Sequence, residues 1–138
     1  DGLVKEVPRL VENGNFDYLL IEGTGIAEPM PIAQSFSYAF EDLGVDLTKI
    51  SSLDTMVTVV DGFNFYNDFG SSETLTDRDP ENTISERSIV DLLVEQIEFA
   101  NVIVLNKVDL ISAHQQEEMK RIIRKLNPIM ERLIPKKY

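Results

Sequence analysis

In VIVLNKVDL, Val102 to Leu110, an apolar and mostly β-branched run stops on Asn106, Lys107 and Asp109. Val102–Leu105 has the composition of a strand buried in a parallel sheet, with nothing polar to interrupt it. Three polar side chains then crowd its carboxyl end. In an open parallel sheet that end faces the ligand crevice, so the stretch predicts both a strand and the place where a ligand would sit.

Three further apolar runs accompany it: YLLI (Tyr18–Ile21), MVTVV (Met56–Val60) and the weaker IMERLI (Ile129–Ile134). The first two are as continuous as Val102–Leu105 and read as strands covered on both faces. Between the runs the period changes to that of a helix. Ile32, Phe36, Ala39, Phe40 and Leu43 share one face, as do Ile89, Leu92, Leu93 and Ile97, and again Met119, Ile122, Ile123 and Leu126. Ser112 with Gln115 is a capping-box pair for the last of these, Pro31 suits a first turn, and Pro128 marks a stop. Pro8 interrupts an opening helical pattern of Leu3, Val7, Leu10 and Val11, so it must occupy a first turn or kink the helix. From Asn64 to Thr83 the chain is polar and reads as a long exposed loop with one helical turn near Phe65–Phe69. The alternation predicts an α/β fold, a largely parallel sheet flanked by helices and joined by right-handed crossovers.

With 138 residues, 43% of them hydrophobic, the chain has the size and core of one domain. Its net charge of −11 opposes general binding to nucleic acid or to anionic membrane, so neither is expected as a partner. No apolar run reaches the ~18–20 residues of a transmembrane helix, and no leader pattern opens the chain, so the cytoplasm is the expected location. There is no cysteine, and His114 is the single histidine, which excludes disulfide frameworks, thiolate metal sites and histidine clusters. The chain opens on Asp-Gly-Leu rather than methionine and is expected to be a piece of something longer.

The strand ends carry the chemistry. A carboxylate at Asp109 offers two acceptors side by side, matching guanine's N1–H and exocyclic amino donors. Adenine would leave that carboxylate unpaired, which is the source of discrimination. Asn106 can tie the loop together and reach the base N7, and the Lys107 stem can lie along the base plane. The plainer reading is that Asn106 and Asp109 make a turn or cap the next helix. Earlier in the chain, YLLI runs into Glu22-Gly23-Thr24-Gly25. There Glu22 could hold the water shell of a magnesium ion, and Gly25 would let a backbone N–H approach a terminal phosphate. A solvated strand end followed by a common Gly-x-Gly turn is the alternative. Asp61, which ends MVTVVD, is as well explained by a turn with Gly62 as by ligand contact. Gln96 reads as a buried amide, and Phe63, Phe65, Tyr66 and Phe69 as packing.

At these residues the chain resembles the CobW family of P-loop GTPases, which includes zinc chaperones, cobalamin-synthesis proteins and nitrile hydratase activators. The resemblance rests on FDYLLIEGTGIAEPMPIAQSF, VTVVDGFNF, LLVEQIEFANVIVLNKVDL and IRKLNP, in that order. It implies a P-loop NTPase (G domain) fold, of which residues 1–138 would be the C-terminal part. It assigns Glu22 and Gly25 to a Walker B-like element and catalytic switch that sense magnesium and the terminal phosphate, and Asn106, Lys107 and Asp109 to the guanine-recognition loop. GTP and Mg²⁺ would then be the nucleotide and cofactor, zinc or cobalt the cargo, and a client metalloprotein the partner. The family's Gly-x4-Gly-Lys-Ser/Thr loop is absent from these residues, since no glycine precedes a lysine, and so is its Cys-x-Cys-Cys motif. Both are expected upstream of Asp1, so the isolated chain is expected to hydrolyse no GTP. Two other functions fit parts of the pattern. One is a GTPase without a metal role. The other is a receiver-like phosphoacceptor module built on Glu22, Asp61 and Lys107, although no proline follows that lysine.

Overall fold

The structure, a computed structural model, describes residues 2–37, 44, 46–70 and 88–137. The chain divides into two compact units, residues 1–54 and 55–138.

The described residues of the first unit contain helix α1 (Gly2–Asn13), helix α2 (Pro29–Ser35) and a 3-10 turn at Leu47–Lys49. Val4 and Val7, one turn apart on α1, bury against Leu47, with Leu3, Val11 and Phe36 packed around them. Pro8 lies inside α1, where its ring supplies no N–H for the Val4 carbonyl. Pro29 and Pro31 both fall in the first turn of α2, where the backbone N–H groups have no intrahelical partner to lose. The helix expected from Ile32 onward is described only as far as Ser35, and Ala39, Phe40 and Leu43 lie outside the described residues.

Tyr18–Ile21 is not a strand, contrary to the sequence reading. Tyr18 is 85% and Leu20 90% exposed, and among the described residues no strand pairs with this segment. Apolar composition supplies only a tendency; a strand exists when a neighbour accepts its ladder hydrogen bonds and something covers its faces.

Among the described residues the second unit is built on three parallel strands in the order β1 (Val57–Asp61), β2 (Val102–Asn106), β3 (Arg132–Pro135). Val59 pairs with Val104, Asp61 with Asn106, and Leu105 with Pro135. The connections between the strands carry α3 (Phe65–Phe69), α4 (Ile89–Glu98) and α5 (Ala113–Leu126). One face of the sheet carries Val60, Ile103 and Leu105 into a core with Phe65, Ile97, Met119 and Ile123. Burying each of these side chains contributes about 1.5–3 kcal/mol, so this face holds the unit together. The helical faces predicted from periodicity are the ones that bury: Ile89, Leu92 and Ile97 on α4, Met119 and Ile123 on α5.

The expectation of strands covered on both faces fails for β1. Val57 and Val59, pointing away from the core, are 54% and 63% exposed. A continuous apolar run is compatible with either arrangement, because only the neighbouring layers decide which faces are covered. The helical turn expected near Phe65–Phe69 is α3, while residues 71–83 of the predicted loop lie outside the described residues.

Candidate functional site

The loop after β2 is fixed by three backbone hydrogen bonds, from the chain after β1 and the chain after β3. Asn106 is the last strand residue, and its carbonyl accepts from the Gly62 N–H at 3.0 Å. Val108 donates to the Lys136 carbonyl at 3.1 Å and Lys136 to the Leu105 carbonyl at 2.8 Å, which ties the loop to the chain just after β3. Between these anchors Lys107 turns the backbone through the left-handed region (φ 60°, ψ 34°), the one non-glycine residue with positive φ among those described. For a lysine that conformation costs about 1–2 kcal/mol, so the surrounding hydrogen bonds must impose it. A 3-10 turn, Val108–Leu110, follows and presents Asp109 at the exposed edge.

Opposite the loop stands Asp61, which sequence reasoning left undecided between a turn and a ligand contact. It does the first and something further. Its Oδ1 accepts the backbone N–H groups of Phe63 (3.0 Å) and Asn64 (3.2 Å), an Asx-type turn. Its Oδ2 accepts from Asn64 Nδ2 at 3.0 Å and from Lys107 Nζ at 2.7 Å. Partial burial alone would raise the Asp61 pKa, but the hydrogen bonds from Lys107 and Asn64 outweigh it and hold the carboxyl below its ordinary value. The pair is about 30% exposed on each side, so solvent screens it in part. Gly62, between the two, is a close-approach position: a Cβ there would stand 2.8 Å from the Asn106 carbonyl oxygen. The signal that could have revealed the Asp61–Lys107 pair was the register. On adjacent parallel strands Asp61 and Asn106 are partners, so the residue after Asn106 emerges beside Asp61.

Glu22 and Gly25 belong to the first unit, on the segment between α1 and α2, and both are exposed. A turn closed by the Ala27 N–H on the Thr24 carbonyl (2.9 Å) carries Gly25. Gly23 is the sterically required glycine here, since its Cβ would meet that of Ala27 at 2.8 Å, whereas a Cβ on Gly25 would project into open space. The structure thus gathers Asn106, Lys107 and Asp109 into one loop with Asp61 beside Lys107, and sets Glu22 on the exposed chain just before the turn that carries Gly25. Among the described residues no group of three or more His, Cys, Asp or Glu side chains could cage a metal ion. A lone carboxylate such as Glu22 suits a Mg²⁺ that keeps most of its waters.

A polar loop with Asn-Lys-x-Asp spacing thus stands at the carboxyl end of the central strand of a parallel sheet. A family model for the CobW/HypB/UreG nucleotide-binding domain matches residues 1–133. The chain belongs to this family. Among curated relatives, a zinc-regulated GTPase metalloprotein activator of Dictyostelium discoideum is 43% identical over 129 residues, which is 93% of this chain and 27% of the relative. A protein of the same description from Schizosaccharomyces pombe is 31% identical, covering 92% of this chain and 26% of that protein. A zinc chaperone CobW from Sinorhizobium sp is 32% identical over 119 residues, 82% of this chain and 32% of the relative. The chain therefore spans between a quarter and a third of the length of these relatives. No solved structure matches it significantly. The three-stranded parallel sheet with its helices is the α/β, P-loop NTPase fold of the CobW/HypB/UreG nucleotide-binding domain. Membership of a nucleotide-binding family leaves no place for the receiver-like alternative.

Proposed function

We propose that this chain is the guanine-reading and magnesium-sensing part of a GTP-hydrolysing metallochaperone. The observation that supports it most directly is the loop after β2, where the backbone is forced left-handed at Lys107 and Asp109 is delivered on a short turn to the exposed strand edge. In this reading Asp109 accepts both donors of guanine. Asn106 braces the loop and reaches the base, and the Lys107 stem lies against the ring. Asp109 has to remain accessible for that, and it is exposed.

Glu22 would hold Mg²⁺ through water and Gly25 would present a backbone N–H to the terminal phosphate. The open space around Gly25 suits that role, because no neighbour in the structure demands a glycine there. Bound Mg²⁺ supplies neutralisation of the phosphate charge; these residues supply its placement and that of the phosphate. GTP binding and hydrolysis would reorder the segment after Glu22 and so time the release of a metal cargo, zinc or cobalt, to a client metalloprotein. The names of the relatives favour zinc. A GTPase without cargo would have the same base loop, and metal retention by the full-length protein separates the two.

In the full-length protein, Asp109→Asn replaces an acceptor by a donor and should move preference from GTP to XTP by at least about tenfold in competition binding. Unaltered preference for GTP would remove Asp109 as the base reader and with it the core of this proposal.

A further inference from the structure

We infer that Asp61 is a positioning residue for nucleotide binding: by pairing with Lys107 it fixes, before the nucleotide arrives, the lysine that lies along the base. The inference rests on the guanine-loop reading and adds to it a residue from the neighbouring strand.

Three observations carry it. First, the Asp61 carboxylate is itself held. Its Oδ1 is engaged by the Phe63 and Asn64 N–H groups and its Oδ2 by Asn64 Nδ2, so the oxygen that meets Lys107 Nζ at 2.7 Å has a defined direction. Second, the two strand ends are locked together beside the pair. Asp61 and Asn106 are register partners, and Gly62 donates to the Asn106 carbonyl. Third, Lys107 is the residue whose backbone is held in the left-handed region, so its side chain starts from a conformation set by the fold. A lysine stem has four rotatable carbons and loses freedom on ordering. An anchor for its charged head moves that loss from the binding step to the folding step, which raises affinity without any contact between Asp61 and the nucleotide.

A turn-forming Asp61 without this role would also accept from Phe63 and Asn64, so the test must isolate the Lys107 arm. In the full-length protein, with a fluorescent mant-GTP probe, Asp61→Asn keeps an acceptor for the turn but removes the charge that Lys107 meets. Because the pair is partly exposed, a loss of about fivefold to tenfold in affinity is expected. In a Lys107→Met background the same change should cost less than about twofold, since the group through which Asp61 acts is gone. Equal losses in both backgrounds would overturn the inference and leave Asp61 a turn residue. If Asp61→Asn melts below the assay temperature, Asp61→Glu, which keeps the charge but displaces it, takes its place in the same cycle with the same two outcomes. Asp109→Asn is measured alongside. If it switches preference to XTP while the Asp61 and Lys107 losses add, only the present inference fails. If no switch occurs, the base-reading proposal fails and this one with it.

Discussion

At Gly62 one methyl group is enough to disturb the site. An alanine Cβ would stand 2.8 Å from the Asn106 carbonyl oxygen, and that oxygen is held by the Gly62 N–H. Either the carbonyl moves, taking the loop after β2 with it, or β1 shifts away. Gly62→Ala should therefore cost about 1–3 kcal/mol in urea unfolding. Parental stability would mean that the strand ends yield without strain. Asp61 gives a pH-dependent counterpart. Its carboxyl titrates lower in the folded chain than in the unfolded one, so its contribution is complete above about pH 4 and is lost as the pH falls through the lower, folded value. The stability gap between the parent and Asp61→Asn should accordingly be full at pH 7 and narrow on acidification toward pH 3. A gap that widened in acid would contradict the ion pair.

Among the elements, α5 and its C-cap show how far sequence can be read. The capping box at Ser112 and Gln115 was legible, and both of its hydrogen bonds are present. So were strands β1 to β3, as short apolar runs bounded by polar residues, and the buried faces of α4 and α5, as helical periods bounded by local stop signals. The role of Asn127 was not legible. Its Nδ2 donates to the carbonyls of Ile97 and Ala100, both at 2.8 Å, closing the end of α4 from thirty and twenty-seven residues away. Asn127 is 2% exposed, and its Oδ1 is buried with no hydrogen-bond partner among the described residues. Asn127→Ala would strip two carbonyls of a donor, and thermal unfolding should register a loss of about 2–4 kcal/mol. The same distinction separates the candidate site residues. Asn106, Lys107 and Asp109 are contiguous and announce themselves by spacing. The Asp61–Lys107 pair spans forty-six residues and depends on which strands lie side by side. Tyr18–Ile21 fails for the related reason that apolar content cannot supply a neighbouring strand.

For the molecule as a whole, the family match covers residues 1–133, while each of the relatives is three to four times as long as the matched stretch. Among the described residues no helix is long and apolar enough to cross a membrane. These 138 residues contain no Gly-Lys pair and so no phosphate loop of the family's type. On the proposed reading a triphosphate would need such an amide nest and lysine as its main cradle, so the isolated chain is expected to bind GTP weakly and to show no turnover above buffer in a phosphate-release assay. Turnover at the rate of an intact GTPase would refute this.

The parallel register of β1 and β2 has a consequence for tolerance to insertions and deletions. Because Asp61 and Gly62 meet the loop after β2 only while Asp61 stays level with Asn106, a single residue lost from β1 would turn its core-facing side chains outward and carry Asp61 out of alignment with that loop. Length changes in β1, a strand that supplies no proposed ligand contact, should therefore be tolerated no better than changes in VIVLNKVDL itself.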